Sequence, residues 1–139
     1  MPHTLSLLGF TLVITLVSAN LAHAGDSPLA TDMKEIGGLF KAISAVASDP
    51  THNAQSAADA AKLIPLFTDA EGRVPDAITA MAPSQQPAAI ADYKSLLEKE
   101  ISDASALEAA FENGDNATAA RLLADMTTLK VDGHTKYNP

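Results

Sequence analysis

Cysteine is absent from the 139 residues, and that single absence closes several classes at once. Without a thiol there is no disulfide, no iron–sulfur cluster, no thiolate zinc site and no thioether-linked haem. Tryptophan is missing too, and aromatic residues make up only 4%. Beyond residue 24 there are no β-branched and aromatic runs of the kind that mark strands. Bases are few: 9 Lys and Arg against 17 Asp and Glu give a formal net charge of −8. Phosphate backbones repel such a chain, which excludes nucleic acid as a partner, whereas a basic protein surface attracts it. Enzyme signatures are also missing. There is no P-loop, no Gly-rich dinucleotide turn, no His pair on one helix face and no nucleophile elbow. The chain reads as a non-enzyme of one domain.

The long apolar run that does occur stands at the N-terminus. Leu5 to Val17 is almost wholly apolar, and the stretch closes with Ala22-His23-Ala24 before Gly25. An apolar core followed by small residues at the two positions a signal peptidase inspects predicts a cleavable signal peptide over residues 1–24, cut after Ala24. The basic n-region is weak, since Met1 to Thr4 offers only His3. A membrane anchor needs about 20 apolar residues, and Ser18, Asn20 and His23 interrupt this run. Residues 25–139 then form the exported domain, still at −8 because the leader carries no charged residue.

That domain is rich in Ala, Leu, Asp, Glu and Lys. Ser27-Pro28 reads as a cap followed by Pro at the first helical position. Leu29, Met33, Ile36, Phe40, Ile43 and Ala47 then recur at three- and four-residue steps until Asp49-Pro50 ends the helix. Asn53 is expected to cap a second helix carrying Ala57, Ala61, Ile64 and Phe67 or Ala70, with Pro65 kinking it or removing one hydrogen bond and Gly72 ending it. Val74 to Pro87 holds three prolines and reads as an irregular connection, with a helical turn around Ala77 to Met81. The third helix carries Ile90, Tyr93, Leu97, Ile101, Ala104, Leu107 and Phe111 at near-heptad spacing. Asn113-Gly114 caps its end. Asp115 or Asn116 starts a fourth helix that buries Ala119, Leu122 or Leu123, Met126 and Leu129 and reaches Tyr137. Four amphipathic helices with two short turns and one longer loop predict an all-α, antiparallel up-down-up-down bundle.

Histidines are scarce enough to take one by one. His3 and His23 leave with the leader, His52 falls in a turn, and His134 stands near the end of the last helix. In an up-down bundle the start of the first helix and the end of the fourth share one end, on neighbouring helices. Met33 is roughly 8 Å into its helix and His134 roughly 5 Å from the opposite terminus at 1.5 Å per residue. A thioether and an imidazole facing each other across a bundle cleft form a six-coordinate haem ligand set. Each residue alone has a plainer reading: Met on an apolar stripe fills core, and a His at a helix C-terminus favours the dipole from the surface.

Leu129 to Tyr137 reads LKVDGHTKY, and its His-Thr-Lys-Tyr resembles the C-terminal His-x-Lys-Tyr of the soluble periplasmic cytochrome b562 family. The likeness runs without gaps from Tyr93 to Tyr137 and places the axial His on His134. Asp32-Met33-Lys34-Glu35-Ile36 resembles the segment that holds the axial Met, which places that role on Met33. Asn53 to Gln55 resembles the start of the family's second helix. The resemblance implies a non-covalent haem b, periplasmic electron transfer, and a redox partner with a basic docking face. It also implies pocket-lining roles for Tyr93 and Leu97 and a propionate-facing role for Lys130, where the family has Arg. Gly133 stands where the family has an aromatic residue, which thins the pocket wall. Gly37-Gly38 either lets a macrocycle edge or a neighbouring helix approach or merely weakens the helix. Two alternatives stay open: a cofactor-free exported bundle acting as a binding or chaperone-like module, and a five-coordinate haem or metal-binding bundle with His134 as sole ligand.

Overall fold

A computed structural model describes residues 27–137, and the leader with its cleavage site lies outside them. Within that span the chain forms α1 (Pro28–Val46), a 3-10 turn (Pro50–His52), α2 (Asn53–Glu71), the single-turn α3 (Asp76–Thr79), α4 (Gln86–Glu112) and α5 (Asn116–Tyr137). No strand occurs among the described residues. The four long helices make the expected up-down-up-down bundle.

Local chemistry sets the boundaries. Ser27 Oγ accepts from the Ala30 N–H at 3.1 Å, which satisfies one orphan donor of α1, and Pro28 sits where its missing N–H costs nothing. After α1, Asp49 accepts from the Thr51 N–H at 2.9 Å and starts the 3-10 turn. At the far end of α4, Gly114 adopts φ +71°, a left-handed conformation that glycine enters without a Cβ penalty. Asp115 then accepts from the Thr118 N–H at 3.0 Å, so Asp115 rather than Asn116 caps α5.

Three expectations need correction. Asn53 is not a cap: it is the first residue of α2, and the preceding His52 makes no side-chain cap bond. Its amide instead pairs with Asn116, donating to Asn116 Oδ1 at 3.1 Å and accepting from Asn116 Nδ2 at 2.8 Å. Asn116 Nδ2 also donates to the Ala47 carbonyl at 2.7 Å. One amide pair thus joins the end of α1, the start of α2 and the start of α5. Second, α2 buries Ala60 and Leu63 where Ala61 and Ile64 were expected, and these two are only half-buried. Third, α4 begins at Gln86 with Pro87 in its first turn, a turn earlier than the prolines suggested. Pro65 is exposed and α2 runs through it unbroken, so it removes a hydrogen bond on the wet side, where water replaces it.

α2 lies along α4, α1 along α2 and α5 along α4, whereas α1 and α5 meet least among these neighbouring long helices. Ile43, Leu63, Leu107, Phe111 and Met126 fill the centre; full burial of such a side chain is worth about 1.5–3 kcal/mol. The many core alanines bring α2 and α4 close together. Ile78 of α3 and Pro75 are fully buried and close the end at which α1 begins and α5 finishes. The seam between α1 and α5 is left open there.

Candidate functional site

The open seam is a cleft. Its volume out to the mouth, open solvent included, is about 540 Å³. Ile36 and Phe40 of α1, Phe67 of α2 and Leu97 of α4 make the walls apolar.

All five residues singled out in the sequence face this cleft: Met33, Tyr93, Leu97, Lys130 and His134. Met33 stands half-buried in the second turn of α1, and His134 half-buried on α5. The His134 Nδ1 lies 2.8 Å from the Lys130 carbonyl. A carbonyl only accepts, so Nδ1 carries the hydrogen, and in the neutral ring Nε2 carries the lone pair. The acceptor is the carbonyl one turn back on the same helix. Lys130 is exposed at the mouth. The buried Tyr93 hydroxyl donates to the Ala70 carbonyl at 3.0 Å. Its ring meets Tyr137 edge-on, with centroids 5.7 Å apart. Burial first, and then the Asp32 charge, push the Tyr93 hydroxyl up to about 12, so it remains a neutral phenol.

Both walls are tied down near the mouth. The Arg73 guanidinium meets the Asp32 carboxylate at 3.3 Å, anchoring the first turns of α1 to the loop after α2. On the other side the Tyr137 hydroxyl and the Lys136 ammonium both donate to Asp92 of α4. The Tyr137 bond, and then Lys136, hold the Asp92 carboxyl below its ordinary value. That pair fixes the last turn of α5, where His134 sits. His52 lies at the opposite end, exposed, with its Nδ1 3.1 Å from Asp49.

Two further residues complete the picture. Gly133 borders the cleft, and a Cβ added there would meet nothing within 4 Å, so the wall is thin where the family has an aromatic ring. Glu100 was missed. It lines the cleft, is 4% exposed, and leaves Oε2 without a hydrogen-bond partner. Burial, reinforced by Asp103, pushes its carboxyl up to about 8 against the opposing pull of Lys99 and Lys130. In the fold Tyr93, Leu97, Glu100, Ala104, Leu107 and Phe111 alternate by four and three, and Ile101, which the periodicity put on that line, lies one position off it.

A soft thioether, an imidazole with Nε2 free, apolar walls and a cationic mouth fit a haem. No group of three or more His, Cys, Asp or Glu able to hold a bare metal ion occurs among the described residues. The family model described as Cytochrome b562 matches residues 28–138. Comparison with curated proteins and with solved structures gives no match. Members of the matched family are haemoproteins that hold haem b non-covalently and carry electrons rather than catalyse a reaction. With the bundle, the cleft and a match across nearly all of the described residues in agreement, the chain belongs to the cytochrome b562 family.

Proposed function

We propose that the protein is exported to the periplasm, binds one haem b between Met33 and His134, and passes single electrons to a partner with a basic docking face. The observation that carries this reading is the His134 ring. Its Nδ1–H is engaged by the Lys130 carbonyl at 2.8 Å, which fixes tautomer and ring orientation and leaves Nε2 to ligate. Met33 offers a thioether that binds without losing a proton. With Met33 and His134 both holding it, the haem would have no open position for substrate, in keeping with electron transfer. When bound, the haem supplies a one-electron iron couple, whose potential a Met/His pair raises.

The remaining residues orient and exclude. Leu97 and Phe67 keep water from the cleft interior, and Tyr93, held by Ala70, presents a fixed ring edge. Lys130 at the mouth reaches a propionate as a point charge rather than a planar fork. The net charge of −8 steers the protein towards a basic partner. No described helix is long and apolar enough to cross a membrane. The experiment is an optical spectrum of haem-loaded protein and of His134→Ala. The variant is expected to lose the low-spin spectrum while keeping its far-ultraviolet helicity. An unchanged Soret band in the variant overturns the ligand assignment.

A further inference from the structure

Among the described residues, Glu100 is the sole charged side chain that the fold buries. It stands on the core line of α4, where a Leu would pack without desolvating a carboxyl. Its Oε2 meets no partner, yet the residue faces the cleft rather than sealed core. The α4–α5 register gives its depth. Tyr137 packs on Tyr93, so in antiparallel order His134 is level with Leu96 and Lys130 with Glu100. Glu100 therefore lies about one turn deeper than His134, roughly 6 Å along the axis.

Resting on the haem reading above, we propose that Glu100 is the proton-exchanging group of this cleft, gaining one proton as an electron enters and releasing it as the electron leaves. The step balances. A one-electron donor reduces the iron, and one proton from bulk water forms an O–H bond at a Glu100 carboxylate oxygen. Oxidation passes the electron on, breaks that bond and returns the proton to water. The charge inside the cleft is then equal in both states, which matters because a charge change is costly in a low-dielectric interior.

The surroundings favour exchange at this residue. From α4, Asp103 pushes the proton on and Lys99 pulls it off, and from α5 Lys130 pulls it off. His134 shares the cleft, but its Nε2 takes no proton while ligating. The α1 and α2 residues that line the cleft, Met33, Ile36, Phe40 and Phe67, carry no titratable group; Asp32 of α1 is paired with Arg73, and Tyr93 of α4 stays a neutral phenol. Burial, with Asp103 adding to it against both lysines, holds the carboxyl up to about 8 before any iron charge acts.

The test is the midpoint potential of the haem-loaded protein as a function of pH, from about 6 to about 10, compared with Glu100→Gln. In the natural protein the potential should fall as pH rises. The steepest slope should approach tenfold in the redox equilibrium constant per pH unit, or about 59 mV for one electron. Glu100→Gln should keep the low-spin spectrum and lose that slope. A slope unchanged in the variant overturns the proposal and leaves the haem reading standing, whereas natural protein that forms no low-spin complex overturns both. If Glu100→Gln fails to fold or load, redox-difference infrared spectra of the natural protein decide. A protonated-carboxyl band must appear on reduction, and its absence overturns the proposal.

Discussion

At the scale of single residues, the cleft brings together a histidine that the sequence singled out and a glutamate that it concealed. His134 was legible from its place near a helix end and from the His-Thr-Lys-Tyr resemblance. Its hydrogen-bond acceptor was not, because a backbone carbonyl has no sequence signature. Glu100 was hidden by its neighbours: Glu98, Lys99 and Asp103 read as a solvated face, and Ile101 beside it drew the core line away. Its burial has a consequence for stability. The folded carboxyl is held at about 8 against an ordinary 4.5, so the native state binds the extra proton between those values. Stability from this group is full below about pH 4.5, falls as pH rises and levels off above about 8. At about 1.4 kcal/mol per unit the swing is on the order of 5 kcal/mol. Glu100→Leu should therefore flatten the loss seen in urea unfolding of haem-free protein between about pH 5 and about pH 9. An equal loss in both proteins would contradict this account of the residue.

At the scale of elements, α1 shows what periodicity delivers. Its stripe, Ser27 cap and stop were all readable, because each rests on side chains within the segment. The ends of the α2 stripe, Ala57, Phe67 and Ala70, are buried as expected, but its middle was read one position off, since in a segment so rich in alanine the apolar positions of neighbouring stripes look alike. Only the packing of α2 on α4 selects Ala60 and Leu63 over Ala61 and Ile64. Asn53 misled for a related reason: a cap and an inter-helix amide pair use the same side chain, and the partner, Asn116, is 63 residues away. The paired glycines of α1 resolve towards the plainer reading as far as helices are concerned. A Cβ at Gly37 or Gly38 would meet nothing within 4 Å, so no neighbouring helix requires them. Gly38→Ala is expected to stabilise the protein by about 0.5–1 kcal/mol through helix propensity, raising the thermal midpoint by a few degrees. A lower midpoint would show that the position has a role besides helix formation.

At the scale of the whole molecule, fold class followed from four stripes and three connections, whereas the cleft did not. An open seam is a property of how unequally four helices meet, and no single stripe records it. If haem binds the folded state as proposed, added haem should raise the melting temperature in a concentration-dependent way, the stabilisation reaching about 2.7 kcal/mol at a hundredfold excess over Kd. His134→Ala should lose most of that gain, as calorimetry can measure; an equal gain in both would mean that stabilisation arises without the ligand. The Asn116 amide has a further meaning at this scale. It grips the ends of α1 and α2 at the end of the bundle opposite the cleft. Pinned at that end, and with α1 moored through Arg73 and α5 through Asp92 at the other, the frame is braced like a bookcase with one open shelf. A guest meets a slot whose uprights are already set.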